Sequence, residues 1–183
     1  DRGQGRSLGG TKSPDKPADS SLVHPDVRRL LLRRKANNEG GRAMAAWIAL
    51  NIDKSLKHAD PEVREQADDF VQLMTPIIKS YMTDAGSEAA NLGVQTMGGH
   101  GYIEEWGMEQ LVRDARIAQI YEGTNGIQAL DLAGRKLGAH YGRYLRTFFH
   151  PVATFIEENA MNPDAGEFVG DLAKSFGWLQ QAT

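Results

Sequence analysis

The sequence predicts an all-α protein: an antiparallel four-helix bundle with short additional helices at its C-terminal end. Three observations carry that prediction. Apolar residues recur at three- and four-residue spacing through most of the chain beyond Pro25. Helix-start and helix-stop chemistry falls between the periodic segments, as at Asp60-Pro61 and Gly98-Gly99. There is almost no strand signal.

Residues 1–22 are rich in Gly, Ser, Pro, Lys and Asp. They read as a loop or linker, ordered only in part. The first helix is expected near Pro25-Asp26, with Val27, Leu30, Leu31, Ala43, Ala46, Trp47 and Leu50 at helical spacing. Gly40-Gly41 falls inside that pattern and marks a close helix crossing, at a cost of roughly 1 kcal/mol per residue against Ala. The second helix starts at Asp60-Pro61, and its stripe runs Ala67, Phe70, Val71, Met74, Ile77, Ile78, Tyr81. Pro76 is expected to kink it. A third runs from about Asp84 or Ser87 to Met97, and a short fourth from Glu105 to about Ala115. The fifth has the clearest pattern: Ile127, Leu130, Gly134, Leu137, Tyr141, Tyr144 and Phe148 step by three and four, ending before Pro151. The segments from Pro25, Asp60, Asp84 and Thr124 pack antiparallel as residues 23–149. Two shorter helices, Val152 to about Ala160 and Ala165 to about Leu179, make a C-terminal extension over 150–183, punctuated by Asn162-Pro163-Asp164.

The chain has 183 residues, enough for one domain or one and a fraction. It begins at Asp1 on a polar stretch and reads as a piece of something longer. The net charge of −3 gives no bulk electrostatic reason to bind nucleic acid. Cysteine is absent, which excludes disulfides, thiolate metal sites and a Cys nucleophile. No apolar run approaches the ~20 residues of a membrane span, and no signal peptide is visible. The expectation is a cytoplasmic protein.

Chemistry concentrates between Gln95 and Gln128. Gln95-Thr96-Met97-Gly98-Gly99-His100-Gly101-Tyr102 is a Gly-rich turn, and Glu122-Gly123-Thr124-Asn125-Gly126 is a second turn carrying a lone carboxylate. Two readings stand for each. Gly98-Gly99 is a helix stop or a place where a ligand approaches the backbone. Glu122 is a carboxylate favoured near a helix N-terminus or a functional base. The basic run Arg28, Arg29, Arg33, Arg34 and Lys35 is a solvated helix face or a contact for cofactor phosphates. His58, His100, His140 and His150 lack metal-ligand spacing and read as surface or packing residues. Trp47, Trp106 and Trp178 read as core or interface anchors.

Three motifs in order carry a resemblance. Gln95, Gly98, Gly99, Gly101 and Tyr102, then Arg113-Asp114-Ala115-Arg116, then Ile120 to Thr124 with Ile127 and Gln128 resemble the C-terminal domain signature of the flavin-dependent acyl-CoA dehydrogenases. The similarity extends more loosely from residue 1 to about Leu137. Residues 150–183 resemble the start of the extra helical domain of larger bacterial-type members, including those acting on methylthiopropionyl-CoA. The family also has a DNA-damage-response branch with little dehydrogenase activity, which makes a helical interaction domain the alternative.

The resemblance implies α,β-dehydrogenation of an acyl-CoA thioester, with Glu122 as the base and FAD as the hydride acceptor. An ordinary glutamate titrates near ~4.3, and desolvation by substrate raises a carboxylate. The resemblance further implies that Gln95, Thr96, Met97, Gly98 and Gly99 hold the adenine-diphosphate end of a neighbouring subunit's FAD. Thr124 and the residue two later touch the protomer's own FAD. That later residue is often Gln in the family and is Gly126 here, leaving only backbone contact. Gly123 lets substrate pass close. Arg2 falls where a family Arg meets FAD, although the Phe of R-x-x-F-G is missing. His24-Pro25 half-matches a common His-Gln. A homodimer or homotetramer and electron-transfer flavoprotein as electron acceptor are also implied. The N-terminal helical and middle β domains, which hold most of the flavin and acyl chain, are not in this stretch, so the chain alone is expected to be inactive.

Overall fold

Proline at the first helical position needs no N–H partner and is pre-set for helical φ, and both long helices begin on one. In the computed structural model, which describes residues 3–183, α1 runs Pro25–Lys57 and α2 runs Pro61–Met97. Asp60 caps α2 by accepting the Glu62 N–H at 2.9 Å. The remaining helices are α3 (Met108–Ile117), α4 (Asn125–Asp131), α5 (Arg143–Asn159) and α6 (Gly166–Ala182), joined by short 3₁₀ and π turns. Among the described residues no strand forms, and the extended backbone pairs only at an isolated bridge between Gly3 and Ser20. The all-α expectation holds.

Three expected boundaries are corrected. The third helix expected from Asp84 or Ser87 is the continuation of α2, which passes unbroken through Thr83, Asp84 and Gly86. Propensity penalties there are at most about 1 kcal/mol per residue, and partners outweigh them. Arg33 pairs with Glu88 at 2.6 Å, Asn37 donates to the same carboxylate at 3.4 Å, and Gln119 donates to Asp84 at 2.5 Å. The fifth helix, expected to run unbroken to about Phe148, is instead interrupted. α4 gives way to a π turn at Leu132–Lys136 and a 3₁₀ turn at Ala139–Gly142. His140, Tyr141 and Gly142 are all left-handed, with φ of 49°, 58° and 75°. The apolar stripe that suggested one helix is not buried: Ile127 is 57 % exposed, Leu130 68 % and Tyr141 98 %. Pro151, expected beyond the helix end, lies inside α5.

The chain divides into two compact units. The first takes residues up to Met44 and Tyr81–Thr124. Its N-terminal loop folds around Asp19, whose side chain is fully buried. The Asp19 carboxylate accepts backbone N–H groups from Ser7 at 2.9 Å, Lys12 at 3.0 Å and Ser13 at 2.7 Å, with the Arg6 guanidinium at 3.4 Å. The Ser7 N–H foremost, with those of Ser13 and Lys12 and the Arg6 charge, holds this carboxyl below the usual carboxylate range, while burial opposes the shift. In the helical part, a Cβ on Gly41 would stand 2.7 Å from Met82 Sδ, so the methionine tip occupies the space the missing side chain leaves.

The second unit takes Ala45–Ser80 and Asn125–Thr183. Its core is Ile48, Ala67, Phe70, Leu73, Met74, Val169 and Phe176. Aromatic contacts run from Trp47 to Phe70 at 4.5 Å, from Trp47 to Phe148 at 6.3 Å, and from Phe149 to Phe176 at 5.2 Å. Buried Asp69 on α2 accepts from Arg143 Nη2 at 2.8 Å and has Arg143 Nε 2.6 Å from its other oxygen as an ion pair, tying the start of α5 to α2. Asp69 foremost, then Glu65, raises Arg143 above its ordinary value.

Candidate active site

The Gly-rich turn begins where α2 ends. Gly98 takes φ 61°, a left-handed stop directly after Met97, and a 3₁₀ turn follows over Gly98–Tyr102. Gly101 is buried where that turn folds back on α2. A Cβ there would stand 2.5 Å from the Val94 carbonyl oxygen and 2.8 Å from Val94 Cα, so only glycine fits. Thr96 donates its hydroxyl to Leu92 O at 2.7 Å.

Thr96 and Met97 line an apolar hollow of about 930 Å³ with Val27, Leu31, His100 and Trp106. The His100 and Trp106 rings meet edge to face at 5.6 Å. Gln95, Gly98 and Gly99 are exposed and do not line it. Reading the sequence put His100 among surface or packing residues and Trp106 among core or interface anchors. The signal available there was the run of aromatic and imidazole rings just beyond the glycines.

The second turn follows α3. The helix tightens at its end, with Ile120 N–H and Tyr121 N–H both donating to Ile117 O, at 2.9 and 3.1 Å. Glu122 then takes φ 52° and Gly123 φ 84°. For an L-residue other than glycine the left-handed region costs roughly 1–2 kcal/mol, and such strain gathers at functional positions. Glu122 and Thr124 are exposed, and Gly123 is half-buried. Asn125 opens α4, accepting from Lys79 Nζ at 2.9 Å and donating to Ser80 O at 3.4 Å. Gly126 lies exposed in the first turn of α4. Arg2 lies outside the described residues.

Other residues take plain structural places. In the basic run, Arg29 pairs with Asp26, Arg33 with Glu88 and Lys35 with Glu39, as a solvated helix face does. Asp114 accepts from Gln110 at 2.7 Å, while Arg116 donates to Gln119. Among the described residues no helix is long and apolar enough to cross a membrane.

Comparison with known proteins bears on these turns directly. Residues 16–137 match the family model described as acyl-CoA dehydrogenase, C-terminal domain. The 3-methylmercaptopropionyl-CoA dehydrogenase of Ruegeria pomeroyi is 44 % identical over 153 residues, 84 % of this chain and 25 % of its own length. A butyryl-CoA dehydrogenase of Syntrophomonas wolfei is 34 % identical over 85 % of this chain and 25 % of its own length. A broad-specificity linear acyl-CoA dehydrogenase of Mycobacterium tuberculosis is 33 % identical over 88 % of this chain and 26 % of its own length. The chain thus spans about a quarter of the length of the relatives it matches. With the family model covering both turns and all of α1 through α4, the chain belongs to the acyl-CoA dehydrogenase family and carries its C-terminal domain.

Proposed function

We propose that this chain is the base-bearing helical domain of an FAD-dependent acyl-CoA dehydrogenase, and that Glu122 removes the α-proton of an acyl-CoA thioester. The observation that carries the reading is the pair of left-handed residues Glu122 and Gly123, with the strain placed on the carboxylate-bearing residue itself. The Glu122 carboxylate accepts the α-proton, and its own backbone N–H donates to the thioester oxygen as negative charge develops there. Gly123 carries no side chain to keep the thioester from the backbone.

The hollow beside the first turn fits the adenosine end of a flavin dinucleotide. It is apolar, it offers the Trp106 and His100 rings, and it lies at a helix C-terminus, whose partial negative charge suits a neutral ring better than a phosphate. Thr96 and Met97 would hold that end, with Gln95, Gly98 and Gly99 beside it, and Thr124 and Gly126 would meet a second FAD. When bound, FAD supplies the acceptor for the β-hydride.

Catalysis belongs to the full-length protein, since this chain spans about a quarter of its relatives. Leu111 and Ile117 in one unit, and Ile127 and Leu130 in the other, are exposed apolar side chains that further domains or a second copy would cover, which supports a homodimer or homotetramer. Electron-transfer flavoprotein is the proposed electron acceptor.

The test is anaerobic flavin bleaching by a panel of acyl-CoAs in the full-length protein. Glu122→Gln should retain FAD and lose bleaching by about 10²–10⁴-fold or more, the range a positioned base contributes. Bleaching within tenfold of wild type on the true substrate removes Glu122 as the base.

A further inference from the structure

A second concavity, of about 640 Å³, lies wholly within the unit of Ala45–Ser80 and Asn125–Thr183. None of Gln95–Gly99 or Glu122–Gly126 lines it. Three helices contribute one face each. Trp47, Asn51 and Lys54 come from α1 at spacings of four and three. Arg143, Arg146 and His150 come from α5 at spacings of three and four, and Phe70 comes from α2. Such spacing puts each set on a single helical stripe.

The floor is aromatic. The Trp47 and Phe70 rings lie 4.5 Å apart, and Phe70 is buried while Trp47 is 37 % exposed, so the indole is the accessible apolar surface. The polar groups divide into those already used and those still available. Asn51 donates to Trp47 O at 2.9 Å, and Thr147, also on the wall, donates to Tyr144 O at 2.6 Å. Arg143 is matched by two carboxylates, Asp69 at 2.6 Å and Glu65 at 2.8 Å. Lys54 and Arg146 form no ion pair among the described residues, and Arg146 gives one donor to Tyr141 O at 3.1 Å. Three permanent cations therefore face two carboxylates, and both carboxylates are taken by the same arginine.

We propose that this concavity binds a small amphipathic anion, its flat apolar body on the Trp47 indole and its carboxylate or similar group held by Lys54 and Arg146. Its volume falls within the roughly 300–1,000 Å³ usual for small-molecule sites, which combine apolar walls with a few placed polar groups. The surplus of positive charge selects an anion, and the exposed indole selects a planar body. An acyl chain with no flat group makes less use of that floor.

The test uses the full-length protein and two isosteric probes, naphthalene-2-carboxylate and naphthalene-2-carboxamide, titrated by calorimetry with and without a saturating acyl-CoA. The carboxylate should bind with one-to-one stoichiometry in both conditions, and the carboxamide at least tenfold more weakly. In a Lys54→Gln, Arg146→Gln double variant the carboxylate should lose at least tenfold and the carboxamide less than twofold. Both side chains are exposed, so the fold should survive, with an unchanged thermal midpoint as the control. Quenching of indole fluorescence by the carboxylate should vanish in Trp47→Phe. Equal affinity for the two probes would overturn the proposal, as would a double variant that binds the carboxylate as tightly as wild type, loss of binding when acyl-CoA is present, or no binding at millimolar probe.

Discussion

Helix α2 and the stretch from α4 to α5 carry similar helix-breaking residues and meet opposite fates. α2 contains Pro76 and Gly86 and continues unbroken to Met97. Residues 125–142 contain Gly134, Gly138 and Gly142 and form three short pieces. The difference is burial, since both regions have polar partners on other helices, as Lys136 has in Gln72. Leu73, Met74, Pro76 and Ala90 of α2 are buried, whereas nothing from Asn125 to Gly142 is. Propensity terms of about 1 kcal/mol per glycine decide the outcome only where packing is silent.

The comparison can be broken most strongly at Arg143, which holds α5 to α2 immediately after the interrupted stretch. Arg143→Met leaves the buried Asp69 carboxylate without its guanidinium partner. Breaking a buried pair costs about 3–5 kcal/mol, and the low end, about 3, applies because the arginine is itself 39 % exposed. Denaturant unfolding should show the loss as a lower midpoint with an unchanged slope. A loss under about 1 kcal/mol would mean that the aromatic contacts alone seat α5.

Next in size is Gly142→Ala. With φ at 75°, an alanine there should cost roughly 1–2 kcal/mol. Gly86→Ala in α2, where a Cβ meets nothing within 4 Å, should instead stabilise by about 0.5–1 kcal/mol. Equal effects at the two positions, read from thermal midpoints, would contradict the account of why one helix persists and the other breaks. Hydrogen exchange offers a check without mutation: amides of Leu132–Gly142 should exchange well before those around Leu73 and Ala90.

These contrasts mark what the sequence disclosed. Both long-helix starts were legible because caps are local: Asp60 and Pro61 act on groups one or two residues away. The break at 132–142 was not, because Ile127, Leu130, Tyr141 and Phe148 keep helical spacing whether or not anything covers them. The two turns were legible as a motif, one carrying Thr96 and Met97 and the other Glu122. The hollow's further walls at Val27 and Leu31 arrive from a distant part of the chain, and no local pattern announces them. Asp19 sat in a stretch that read as linker, since its partners are backbone N–H groups that composition does not record.

The smallest effect concerns that loop. Asp19 titrates below its ordinary value in the folded chain, so the stabilisation it gives is complete above about pH 4, the ordinary aspartate range, and is lost as pH falls through the lowered folded value. Limited proteolysis within residues 3–20 should therefore stay slow down to about pH 4 and rise only below it. Asp19→Asn should open the loop at neutral pH while leaving the aromatic contacts of the other unit in place. Opening of the wild-type loop between pH 5 and 7 would contradict the assignment.

The central claim is that Glu122 takes a proton from the carbon beside the thioester, and exchange of that hydrogen tests it without hydride transfer. A 3-thia-acyl-CoA has sulfur at the β position and no β-hydrogen to give up. In deuterated buffer the full-length protein should exchange its α-hydrogens, followed by NMR. Glu122→Gln should slow that exchange by about 10²–10⁴-fold with FAD still bound. Exchange that continues within tenfold of wild type would contradict the assignment of Glu122 and leave its left-handed backbone without a catalytic explanation.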